Sequence, residues 1–441
     1  MLVTVSKAIY CERHLKPEAM VPVQRNFRVA TLTLVVLLAA GAVIAQHLAV
    51  SLVWIATWGT AQQIPEPHNA LPNADLQDTT LRQVFRVSVG GSTLRVHFSN
   101  EFGTEPLQIT AAHIALPIAS SISAIDPATD KPLLFGGRAN VLIPPGAEWI
   151  SDPIDFAVPP LASVSVTFHL DAPPSQQTGH PGSRATSYYV HGDAVAARDL
   201  IGAKQIDHWY LISGIDVLAS PGAGSVIALG DSITDGHGAT TNGNDRWTDV
   251  LANRLQASPA TRKIGVSNRG IGGNHLLTDG LGPNVLSRLD RDVLSPAGAH
   301  WLIVFEGVND LGALARDGEV SPQQHEALVA RVLAAYRQII DRAHARGMRV
   351  YGATITPYIG SGYYHPGPLS ESDRQSVNRW IRERGHFDAV IDFDAVVRDP
   401  QHPDRLLPAF DCGDHLHPSP AGYKAMGEAV PLQLFATPPG V

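Results

Sequence analysis

The stretch SVIALGDSITDG (225–236) decides how this chain is read. Its first part, SVIALG (225–230), is a continuous apolar run. A strand covered by helices on both faces needs such a run, whereas a strand with one wet face alternates. The run ends in Gly-Asp-Ser, and a helical stretch follows at DRWTDVLANRLQA (245–257). The same alternation continues to the C-terminus. KIGVSN (263–268), WLIVFEG (301–307), RVYGATI (349–355) and AVIDF (389–393) read as further strands. QQHEALVARVLAAYRQIIDRAHARG (323–347) and SDRQSVNRWIRERG (372–385) read as amphipathic helices, and a last helix follows Pro420. Strand alternating with helix predicts a three-layer α/β/α fold around a parallel sheet.

Upstream of Gly222 the pattern differs. TLRQVFRVSV (80–89) and STLRVHFSN (92–100) alternate apolar and polar residues around Gly90-Gly91, which predicts a hairpin. ITAAHIAL (109–116), ANVLI (139–143) and SVSVTFHL (163–170) alternate likewise. Gly/Pro-rich stretches such as DAPPSQQTGHPGS (171–183) separate them. Short strands without long helical periods predict an antiparallel β-sandwich-like domain. The expected organisation is a leader over 1–45, a β-rich domain over 46–220 and an α/β domain over 221–441.

The leader rests on Arg25 and Arg28, followed by an uncharged apolar run from Val29 to Ala45. A basic flank, an apolar centre and small residues at the end describe a secretory signal. The alternative is a retained anchor over 29–45, because apolar residues resume at Leu48. Export places the chain outside the cytoplasm, and a membrane is a partner only if that segment is retained.

Composition narrows the function classes. Of 441 residues 44% are hydrophobic, and 33 Lys+Arg against 41 Asp+Glu give a net charge of −8. With no basic stripe, nucleic acid is not an expected partner. Two cysteines, Cys11 and Cys412, exclude a disulfide scaffold and any cluster of thiolates.

Ligands of open α/β sheets sit beyond the carboxyl ends of the strands. Four polar loops fall there: Gly230-Asp231-Ser232, Asn268-Arg269-Gly270-Ile271-Gly272-Gly273-Asn274, Gly307-Val308-Asn309-Asp310 and Gly413-Asp414-His415-Leu416-His417-Pro418. Each alone reads as a cap or a turn. Together they offer a serine nucleophile, Ser232, that needs a base. His417 can be that base, with Asp414, three residues earlier in a turn, fixing its tautomer. Donors for an oxyanion are the N–H of Ser232, the N–H of Gly273 and the side-chain amide of Asn309. No G-x-S-x-G elbow is present, since 230–234 read GDSIT. The glycine cluster fails as a dinucleotide fingerprint because position 275 is His275. Asp414, His415 and His417 lack further well-spaced ligands, so no metal and no cofactor is expected. Trp247, Tyr358, Tyr363 and Tyr364 fall near the rim, as substrate contacts or as packing.

At these residues the sequence resembles the SGNH hydrolases, also called the GDSL esterase/lipase family. GDSITDG, NRGIGGN, GVND and DHLHP match its four blocks over about 222–436. The resemblance implies Ser232 as nucleophile, Gly273 (or Gly272) and Asn309 as oxyanion donors, and Asp414 and His417 completing a triad. GDSITDGHGATTNGNDRW with GIGGNHLLTDGLG, preceded by WIATWGTAQQ (54–63), looks especially like bacterial esterases of xylan-degradation clusters. The implied function is a secreted serine esterase acting on a small-molecule or polysaccharide ester, including the deacetylation of plant polysaccharide. A lipid or short-chain acyl esterase is the close alternative. A carbohydrate-binding protein with a vestigial hydrolase domain is the alternative of another class.

Overall fold

The computed structural model describes residues 52–436 apart from 317 and 319. The expected leader over 1–45 lies outside the described residues, and among these no helix is long and apolar enough to cross a membrane.

Two larger antiparallel sheets and two two-stranded ribbons make up the first part of the described chain. In one, β1 (Val53–Gly59) and β3 (Gly91–Ser99) flank the strand Ile212–Ala219, and Glu148–Ile150 and Ile154–Val158 both pair with β3. In the other, β2 (Thr79–Arg86) runs between β5 (Ser163–Leu170) and β6 (Ser187–His191), and β4 (Ala111–Ala115) pairs with β5. We call Ile212–Ala219 β7. The sheets share one apolar core. Phe98 of β3 meets Phe168 of β5 edge to face, with ring centroids 5.7 Å apart.

The hairpin expected at Gly90-Gly91 is not formed. β2 and β3 lie in different sheets, and the link between them crosses from one to the other. A tight hairpin needs positive φ at its central residues, and neither glycine has it. Gly90 serves close approach instead: a Cβ there would sit 2.4 Å from the Val158 carbonyl oxygen. β2 is also buried along nearly all its length, so it needs a neighbour on each edge, and β5 and β6 supply them.

The second part is a five-stranded parallel sheet. β8 (Gly224–Gly230) lies between β9 (Ile264–Gly270) and β10 (Ala299–Phe305), followed by β11 (Arg349–Ala353) and β12 (Ala389–Ile391). The order β9-β8-β10-β11-β12 reverses direction at β8. Val226 to Leu229 are fully buried, as the apolar run requires. The helices α2 (Trp247–Ala257) and α6 (Pro420–Ala429) pack together, and α3 (Val308–Ala315), α4 (Pro322–His344) and α5 (Pro368–Arg382) form a second group. This is the three-layer α/β/α arrangement, preceded by the antiparallel region. Truncating one of the buried leucines, such as Leu229, costs on the order of 2–5 kcal/mol.

The two parts pack against each other through backbone-directed hydrogen bonds. β9 is an edge strand, and the Val266 N–H donates to Ser88 Oγ at 2.9 Å. Ser225 Oγ donates to the Ala56 carbonyl at 2.8 Å, and Arg269 Nη1 to that of Thr60 at 2.6 Å. One free edge N–H of the parallel sheet, that of Val266, is thus satisfied by the β-rich region.

Candidate active site

Ser232 opens a single helical turn, α1 (Ser232–Asp235; α1 precedes α2 in the chain), directly after β8. Gly230 lets that turn fold back closely, since a Cβ there would meet Thr234 Oγ1 at 2.2 Å and the Phe305 carbonyl at 2.5 Å. Asp231 caps the turn by accepting the Ile233 N–H at 2.9 Å, and Gly236 ends it in the left-handed region. The serine therefore stands at the carboxyl end of β8, where the strand order reverses. That is where ligands of such sheets bind.

The loop before α6 brings the other groups in. Ser232 Oγ lies 2.7 Å from His417 Nε2, and His417 Nδ1 lies 2.6 Å from Asp414 Oδ2. The second carboxylate oxygen of Asp414 accepts the N–H groups of Leu416 at 2.9 Å and His417 at 2.8 Å. Partial burial opposes ionisation of Asp414. Its hydrogen bond and attraction to His417, with the two backbone donors, outweigh this and hold the carboxyl well below the usual range. His415 turns away. Its φ is +62°, and its Nδ1 lies 2.6 Å from Asp411 Oδ2. Ser419 and Pro420 start α6 as cap and first residue and anchor the loop from behind.

Asn309 sits in the first turn of α3 and is buried. Its Nδ2 donates to the Asn274 carbonyl at 2.7 Å, and its Oδ1 accepts from the Tyr364 hydroxyl at 2.6 Å. The two bonds fix the amide and leave one N–H of Nδ2 uncommitted. Tyr364 was legible only as one of several rim aromatics. Its link to Asn309 spans 55 residues and has no local signal. Gly273 has φ +64°, a backbone conformation that side chains disfavour. Ser232, Gly272, Gly273, Asn309 and His417 share one open pocket of about 770 Å³, with Leu281 and Tyr363 on its wall. Trp247 and Tyr358 lie in the core and do not reach it.

Beneath the pocket are three buried carboxyls. Burial pushes Asp231 up to about 7, and it also raises Glu306 and Asp310. Asp310 accepts the N–H groups of Leu276 and Leu277, which ties the glycine loop to α3. Cys412 neighbours Asp414. Burial, then that carboxylate, push its thiol up to about 11, so it is no thiolate nucleophile at neutral pH. Candidate metal-ligand atoms of His237, Asp414 and His417 lie within 4.8 Å of one another. His417 and Asp414 are already committed to the Ser–His–Asp hydrogen bonds, which a cation would have to displace.

Residues 228–425 match the model of the GDSL-like lipase/acylhydrolase family. No curated protein matches the chain. Similar solved structures include a GDSL-like lipase from Bacteroides thetaiotaomicron, 18% identical over 48% of this chain and 87% of that one, with TM-score 0.34. A catalytic mutant of an acetylxylan esterase from Geobacillus stearothermophilus is 21% identical over 48% and 95%, with TM-score 0.35. An acetyl xylan esterase is 20% identical over 46% and 96%, with TM-score 0.34. By the family match, residues 228–425 form a GDSL-like lipase/acylhydrolase domain, the domain of a carboxylic ester hydrolase.

Proposed function

We propose that the enzyme cleaves esters through an acyl-Ser232 intermediate. The observation that carries this is the continuous chain Ser232 Oγ–His417 Nε2, His417 Nδ1–Asp414 Oδ2, at 2.7 and 2.6 Å. His417 takes the serine proton at Nε2 while Oγ attacks the ester carbonyl. Asp414 holds the Nδ1–H and stabilises the imidazolium. The N–H groups of Ser232 and Gly273 and the free N–H of Asn309 Nδ2 receive the oxyanion. His417 then protonates the leaving alkoxide. In the second half it activates water, which releases the acid and restores Ser232.

For the substrate we infer a short acyl group, chiefly acetyl, on a carbohydrate chain. The pocket is open, and Tyr363, 61% exposed on its wall, offers an aromatic ring to a sugar beside the Arg316 guanidinium, which lies 5.5 Å from the ring centroid. Leu281, 52% exposed on the same wall, favours the second reading, a short-chain acyl or lipid esterase. A vestigial, purely carbohydrate-binding role is disfavoured by the unbroken hydrogen-bond chain at Ser232. The apolar run before Ala45 supports export of the mature chain, and sequencing its N-terminus from the secreted fraction checks that.

The test is a series of p-nitrophenyl esters of rising acyl length, with acetylated xylan alongside and released acid measured. We expect acetyl to be turned over fastest and acetate to leave the xylan. A maximum at long acyl chains with intact xylan would favour the lipid reading, and no turnover of any ester would sink the mechanism.

A further inference from the structure

The segment GHPGSRATS (179–187) of the β-rich region begins within the Gly/Pro-rich stretch 171–183. In the fold it runs along the turn that carries Ser232 and grips it on two sides. His180 is buried and bridges the Ala61 carbonyl at 2.9 Å to Asp235 Oδ1 at 2.8 Å. Arg246 bonds the carbonyls of Ser183 and Asp235. Asn242 donates its N–H to the Arg184 carbonyl at 2.8 Å and accepts the Thr186 N–H at 2.9 Å. Arg184 itself has φ +48°, a left-handed conformation that arginine rarely adopts. Such geometry persists only where the surroundings impose it.

This backbone aims the Arg184 guanidinium at His237, with Nη2 3.2 Å from Nδ1. Arginine has no acceptor, so Nδ1 must accept and the proton of His237 sits on Nε2. That Nε2 lies 3.8 Å from Asp414 Oδ2. The His237 ring packs on the His417 ring, centroids 4.0 Å apart and planes inclined by 37°. The backbone of His237 is fixed as well, its N–H donating to the Ser232 carbonyl at 2.9 Å and its carbonyl accepting from Tyr423 at 2.6 Å.

We propose that Arg184 and His237 are a positioning pair for the base: Arg184 fixes the tautomer of His237, which lies as a neutral ring over His417 and turns its Nε2–H toward Asp414. The inference rests on His417 being the base. It makes the β-rich region part of the hydrolytic centre. Burial, then the neighbouring His417 and Arg184, lower His237 to about 4, so it brings no charge against the imidazolium formed in catalysis. The charged and titratable groups facing it are Arg184, Asp235, Asp414 and His417. Ser232 faces His417 from α1.

Without the His237 ring, water reaches one face of His417, solvates its charged form and frees its tilt. His237→Ala should therefore lower kcat about tenfold with KM changed less, because a small misplacement of a reacting group is costly. It should also move the acidic limb of kcat/KM to higher pH by about half a unit, since that limb follows the base of the free enzyme. Arg184→Ala should reproduce part of both effects, and Arg184→Gln, which keeps a donor for Nδ1, should restore them. The double variant His237→Ala/Arg184→Ala should be little worse than His237→Ala, as for residues acting in one chain. Thermal melting checks that each variant is folded, and if His237→Ala fails to fold, the Arg184 pair carries the test. A wild-type limb and kcat in folded His237→Ala, or in folded Arg184→Ala, would overturn the proposal, as would simple additivity. Ester turnover by the wild type and its loss in Ser232→Ala, in the same assay, test the hydrolytic reading separately.

Discussion

The two flanks of Ser232 handle carboxyl groups in opposite ways. On the base flank, Asp414 is 39% exposed by side chain and held ionised by His417 and two backbone donors. On the oxyanion flank, Asp231, Glu306 and Asp310 are buried and pushed toward their neutral forms. The difference fits the roles proposed for the two flanks. A fixed negative charge beside His417 favours the imidazolium. The same charge near the oxyanion would oppose the charge that develops there, so acids on that side are better kept protonated. Asp231 and Asp310 accept backbone N–H groups there, whereas both Glu306 carboxyl oxygens are buried without a hydrogen-bond partner.

The largest expected effect separates the two histidines of the base loop. His417→Ala should lower kcat/KM by about 10⁴ or more, because a triad member is lost. His415→Ala removes the bond to Asp411 and part of the pocket wall, and should stay within about tenfold of wild type. Steady-state kinetics on p-nitrophenyl acetate distinguishes them, and the reverse ranking would break the assignment of the base flank.

On the other flank, Asn309→Ala should lower kcat by about 10²–10³ with KM little changed, as for a donor used mainly in the transition state. A pure KM effect would make Asn309 a ground-state contact. Tyr364→Phe keeps the ring and deletes only the hydroxyl that orients the amide. Its expected loss is smaller, about tenfold in kcat, and should largely vanish when Asn309 is already Ala.

The smallest effect concerns stability. Folded protein keeps a proton on Asp231 up to about pH 7, whereas the unfolded chain releases it near pH 4. The folded state binds more protons between these values, so this group's contribution to stability falls as pH rises from about 4 to about 7. Asp231→Asn retains a capping oxygen and cannot titrate. The decline in urea midpoint between pH 5 and pH 7.5 should be shallower in this variant than in wild type. An unchanged decline would show that Asp231 titrates normally.

The flanks also differ in how readily the sequence gives them up. The strands behind Ser232 and Asn309 are legible because a strand buried on both faces must be continuously apolar, as in SVIALG and WLIVFEG. His417 and Asp414 are legible because three residues in a turn suffice to bring them together. Tyr364 on Asn309, His180 on Asp235 and Arg184 on His237 are not, since contacts across 53–55 residues leave no period or motif. The link at Gly90-Gly91 misleads for a related reason. Paired glycines mark a place where backbone comes close, and here the close neighbour is the 158–160 segment rather than a hairpin partner.

The central claim is that Ser232 forms the covalent intermediate, and an irreversible phosphylating inhibitor of serine esterases, diethyl p-nitrophenyl phosphate, tests it most directly. Incubation of the wild-type enzyme, followed by intact-mass measurement and peptide mapping, should give one diethylphosphoryl adduct on the peptide carrying Ser232, with activity lost in step. Ser232→Ala should acquire no adduct, and His417→Ala should acquire it far more slowly. Labelling at any other residue in step with loss of activity, or a fully active enzyme carrying the adduct on Ser232, would contradict the account.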